Sequence, residues 1–99
     1  MEYADIVEES KHLELFIELH EETKGEIARL DTEQTLIEAK LALARSGLRL
    51  AFSKGVAAKI RHRIEKCQAR LRVIDIQRWR YKRTLYWTGV CIQNSRVSN

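Results

Sequence analysis

Proline is absent from this chain, and glycine occurs only four times in 99 residues. Nothing therefore forbids helices of many turns, because the two residues that break them are missing or scarce. Cysteine is equally sparse. Cys67 and Cys91 lie far apart and form no Cys-x-x-Cys motif, so a disulfide framework and a thiol redox centre are both unsupported. Two reduced thiols are expected, with Cys67 acting as a small hydrophobe on the apolar side of its helix. No apolar run reaches the ~18–20 residues that span a bilayer. The opening residues, MEYADIVEES, are acidic and lack the positive start of a signal peptide. A cytoplasmic location is expected.

Catalytic signals are missing too. There is no nucleophile elbow and no Gly-rich phosphate loop. Glu9 and His12 make one Glu-x-x-His pair, but a di-iron bundle needs two, and His20 follows Ile17 rather than an acid. His62 and Cys67 are five apart, a poor spacing for joint ligation. No catalytic residue, metal site, cofactor or small-molecule substrate is nominated, and the chain is not expected to be an enzyme.

What is present is apolar periodicity and charge. Apolar residues make up 44% and charged residues 32%, too apolar for disorder and ordinary for a charged helical protein. The net charge of +4 conceals an asymmetry. Residues 1–40 carry 12 acids and 4 bases, and residues 41–99 carry 2 acids and 14 bases. Such a split implies internal pairing or a basic surface for an acidic partner.

The first stretch, Tyr3–Lys24, has helical spacing, with Glu14, Glu18, Glu22 and Glu26 as a like-charged ridge that needs a cationic neighbour. A heptad phase runs on from it. Its a positions are Ile6, Leu13, His20, Ile27, Gln34, Leu41 and Leu48; its d positions include Phe16, Thr23, Leu30, Ile37, Ala44 and Ala51. His20, Thr23 and Gln34 weaken it. Against continuity, Gly25 suits a helix C′ position, and Asp31 with Gln34 resembles a capping box. Thr35–Phe52 is apolar on more than one face and is expected to be central.

Ser53-Lys54-Gly55 reads as the clearest turn, with Ser53 as an N-cap and Gly55 at positive φ; Gly47 is a weaker candidate. A long basic helix follows over Val56–Trp87, with Val56, Ile60, Ile64, Cys67, Leu71, Ile74, Tyr81 and Leu85 on one stripe. Gly89 is expected to end it, closing a single helical domain over 1–92, and residues 93–99 form a polar, frayed tail.

The fold class is all-α: a small helical bundle with coiled-coil-like packing and a long basic C-terminal helix. It is either three helical segments or a long helical hairpin. Three segments would lay Glu14–Glu26 beside the basic helix and neutralise more charge, so that arrangement is preferred. Leu13, Phe16, Ile27, Leu30, Ile37, Leu41, Leu48, Ile60, Ile64, Leu71 and Ile74 are the candidate core and oligomer contacts, and a homo-oligomer is expected.

The candidate partner-binding residues are Lys59, Arg63, Lys66, Arg70, Arg78, Trp79, Arg80, Tyr81, Lys82, Arg83, Tyr86 and Trp87. Trp, Tyr and Arg are the side chains most enriched in binding hot spots. The leading expectation is an adaptor, inhibitor or assembly factor that binds an acidic protein surface. The alternative is RNA or DNA held along Lys59–Arg83, with bases stacked on the aromatic rings. The third expectation is a self-assembling coiled coil.

Overall fold

A computed structural model describes residues 2–97, with side chains for residues 11–96. It contains two helices, α1 (Glu2–Arg49) and α2 (Lys54–Val97), which pack together as a helical hairpin. The chain clusters into two compact units. One comprises Met1–Ala28 and Trp79–Asn99, the other Arg29–Arg78.

The hairpin, not the three-segment bundle, is the arrangement that forms: α1 runs unbroken through Gly25 and Asp31. The groups that resembled a capping box are employed elsewhere. The Asp31 carboxylate lies 2.9 Å from an Arg78 guanidinium nitrogen, and Gln34 Oε1 accepts a hydrogen bond from the same Arg78. The Asp31 carbonyl accepts from Thr35 Oγ1 at 3.1 Å. Cross-helix partners have thus replaced the local cap. Gly25 remains helical, and a Cβ there would meet nothing within 4 Å.

The turn between the helices begins where expected. Ser53 caps α2: its Oγ accepts from Val56 N–H at 3.2 Å, and its carbonyl accepts from Ala57 N–H at 3.0 Å. At the preceding end, Leu50 N–H donates to the Gly47 carbonyl at 3.2 Å, a tightened last turn of α1. Gly55 does not take positive φ; no described glycine does. The Ser53 cap starts the helix by itself, so Gly55 sits in the first turn with helical backbone.

The heptad phase proves to be the packing seam. Every described a and d position of α1, from Leu13 to Leu48, is buried or half-buried, His20, Thr23 and Gln34 included, as is Ala51 just past its end. On α2 the matching stripe runs Ile60, Ile64, Cys67, Leu71, Ile74, Arg78, Tyr81, Leu85, Thr88, Ile92 and Ser95, alternating steps of four and three. Val56 lies outside it, exposed, and Ala57 is half-buried instead. Ile6 falls outside the residues whose side chains are described. In the second unit, Leu30, Leu41 and Ile74 are buried.

The candidate core residues are all buried or half-buried. The expected stop at Gly89 is not observed. The seam continues to Ser95, and tertiary packing outweighs the ~1 kcal/mol helical cost of one glycine. Residues 93–97 belong to α2; the last two residues of the expected tail lie outside the described part.

Polar side chains occupy seam positions in both units. In the first, Thr23 is buried and donates to the Leu19 carbonyl at 2.7 Å. Thr88, also buried, donates to the Thr84 carbonyl at 3.0 Å. Thr88 Oγ1 also shares a hydrogen bond with His20 Nδ1 at 2.7 Å. In the second unit, Arg70 grips Glu33 with two parallel bonds, Nε to Oε2 at 2.5 Å and a terminal nitrogen to Oε1 at 2.8 Å. That bidentate contact, helped by Arg29 at 3.7 Å, holds the Glu33 carboxyl below the usual glutamate range and raises the guanidinium of Arg70.

Two predictions follow from the continuous helix and this ion pair. Gly25→Ala should stabilise the protein by about 0.5–1 kcal/mol, because the helix loses a flexible residue and the methyl meets no obstacle. Denaturant titration reads the change; a destabilised variant would mean that the helix breaks there. Because Glu33 is shifted down, its contribution is complete above the ordinary glutamate range and fades as pH falls through its folded-state value. Glu33→Gln should therefore be less stable than the parent at neutral pH, and the two stability curves should converge in acid.

Candidate functional site

With the seam on one side of α2, the opposite side is left to solvent, and the aromatic cluster lies there. At 100° per residue, Trp79, Arg80, Lys82, Arg83, Tyr86 and Trp87 fall within an arc of about 160°, centred opposite Tyr81, Leu85 and Thr88. All six belong to the first unit. Trp79, Tyr86 and Trp87 are 62%, 67% and 56% exposed. Helices commonly hide such rings because each offers a large apolar area.

The rings are nonetheless ordered by one another and by charge. The Arg83 guanidinium carbon sits 5.6 Å from the Trp79 ring centroid, a cation–π contact. Tyr86 and Trp87 meet edge to face, with centroids 5.7 Å apart and planes at 75°. Arg80, Lys82 and Arg83 have no carboxylate partner among the described residues. The surface combines apolar area, limited side-chain freedom and uncompensated positive charge.

The nominated partner-binding residues divide between the two sides of α2. Tyr81 is half-buried at a seam position and does not join the exposed rings. Arg78 is only 17% exposed on its side chain, with Asp31 at 2.9 Å and Asp75 at 3.5 Å. Its Nε is a buried donor without a partner, as is the acceptor Oε1 of Gln77. Arg70 is committed to Glu33. Sequence spacing alone does signal these assignments: 71, 74, 78, 81, 85 and 88 preserve the four-three rhythm, whatever the polarity of each residue.

Lys59, Arg63 and Lys66 are exposed and unpaired among the described residues, all in the second unit. Arg63 and Lys66 rim a groove of about 590 Å³, with Lys40 on the α1 side. Its walls are largely apolar: Leu43, Ala44, Gly47, Ile60 and Cys67.

His12 and His62 are exposed, and the Glu9 side chain lies outside the described set. Among the described residues, no three His, Cys, Asp or Glu side chains are grouped to hold a metal ion. Nor, among them, is any helix long and apolar enough to cross a membrane. The arrangement places exposed aromatic area beside the cations of Arg80, Lys82 and Arg83 on one helical face. Comparison with protein-family models, with curated protein sequences and with solved structures gives no match.

Proposed function

We propose that this protein is a non-enzymatic interaction module, an adaptor, inhibitor or assembly factor. It binds an acidic protein surface through Trp79, Arg80, Lys82, Arg83, Tyr86 and Trp87. The observation that carries this reading is the solvent exposure of three large rings on one helical face beside three unpaired cations. Burial of such rings contributes the largest single terms in protein recognition, and the cations steer the encounter with an acidic partner.

Helical preorganisation supports the same reading. The rings stand on a helix whose opposite side is packed, and Trp79 and Tyr86 are already held by neighbours. Binding then orders few additional bonds, which lowers its entropic cost. Lys59, Arg61, Arg63 and Lys66 lend some weight to nucleic acid as the alternative partner, since exposed unpaired cations along a helix can follow phosphates.

The test is capture from native lysate on the immobilised full chain, with and without nuclease, for the parent and for Trp79→Ala and Trp87→Ala. A protein retained at fixed stoichiometry after nuclease, and lost from either aromatic variant, supports the proposal. Each ring should be worth at least about tenfold in Kd, or ~1.4 kcal/mol, and Arg80→Ala or Lys82→Ala should cost less. Bound material that absorbs at 260 nm, vanishes with nuclease and depends steeply on salt would instead assign the surface to RNA or DNA.

A further inference from the structure

A hairpin of two helices buries one stripe of each, and this chain has more apolar surface than that. Part of it is ordered at heptad spacing: Leu36, Leu43 and Leu50 recur every seven residues on α1, all exposed, with Leu43 at 74%. Leu43 forms a wall of the groove rimmed by Lys40, Arg63 and Lys66.

The first unit displays the complementary chemistry. Glu14, Glu18 and Glu22 form a ridge on α1, exposed and without an ion-pair partner among the described residues. Leu15 and Leu19 lie beside that ridge, within about 140° of arc, and both are exposed. An acidic helix with an apolar edge is what a groove of apolar walls and cationic rim would accept. The pairing of these acids with the basic helix, expected from composition, is not made within the chain.

We infer that the groove of the second unit, Lys40, Leu43, Ile60, Arg63 and Lys66, is an interface that receives the Glu14–Glu22 ridge of a second copy of this chain. Leu15 and Leu19 of that copy bury against Leu43 and Ile60, and its glutamates meet Lys40, Arg63 and Lys66. Leu41 and Leu48 do not line this groove, whereas the half-buried Ile60 does. This inference is independent of the aromatic face of α2, which lies in other residues.

Charge exchange tests it on the full chain. The parent should self-associate by analytical ultracentrifugation at micromolar concentration, at least tenfold more weakly when salt is raised to 1 M. Variant one carries Lys40→Glu, Arg63→Glu and Lys66→Glu; variant two carries Glu14→Lys, Glu18→Lys and Glu22→Lys. All six residues are exposed, and circular dichroism should show parental helicity in both variants. Each variant alone should be monomeric, because like charges face each other, and an equimolar mixture should regain association. A monomeric parent, variants that associate as the parent does, or a mixture that stays monomeric would overturn the inference. Trp79→Ala and Trp87→Ala should leave self-association unchanged, which separates this outcome from that of the proposed function.

Discussion

Two helices can bury only one stripe of each other, and that limit governs this molecule. The stripe is a four-three alternation sustained from Leu13 to Leu48 on α1 and from Ile60 to Ser95 on α2. Once it is filled, every other face of both helices is left to solvent, whatever its composition. Exposed leucines on α1 and exposed tryptophans on α2 therefore have the same cause. They are apolar residues placed where the hairpin has no partner to offer.

The seam is far from uniformly apolar, and its polar positions carry the register. A continuous leucine seam would tolerate sliding by a heptad at little cost. Here His20 meets Thr88, and Arg78 meets Asp31 and Gln34. Slippage would strip the buried Thr88 and the largely buried Arg78 of these partners; the penalty reaches about 1–3 kcal/mol for a neutral group that is fully buried and more for a charged one. The likeness to single polar core residues that set coiled-coil alignment is direct. Glu33 and Arg70 act similarly at the edge of the seam, where the bidentate geometry demands one alignment.

Much of this was legible in the residues. The heptad phase identified the buried face of α1 down to its polar members, and Ser53 marked the start of α2. Where the reading failed, the cause was a local signal overruled by a distant partner. Asp31 and Gln34 have the spacing of a cap, but Arg78, more than forty residues later, takes their side chains. Gly89 has the identity of a helix stop, but Ile92 and Ser95 keep the seam going beyond it. Tyr81 has the spacing of the apolar stripe as well as the chemistry of the aromatic cluster, and the stripe position prevails; Arg78 has the chemistry of the basic residues, but its spacing places it in the seam. Composition implies either internal pairing of acids and bases or a basic surface for an acidic partner. The hairpin register brings Glu33 and Asp31 to the basic helix and leaves Glu14, Glu18 and Glu22 without an ion-pair partner among the described residues.

The account depends on the seam closing within one chain, so that the remaining faces are free for partners. Nuclear Overhauser contacts in a mixture of isotope-labelled and unlabelled protein test this most directly. Each unit supplies one reporter. His20 Cε1 lies 3.6 Å from where a Cβ on Gly89 would stand, and Ile60 Cδ1 lies 3.6 Å from the same point on Gly47. Both contacts should appear within labelled molecules and be missing from the spectrum filtered for contacts between molecules. Their appearance only between molecules would mean that the helices open and exchange partners, and the surfaces assigned here to other molecules would need to be redrawn.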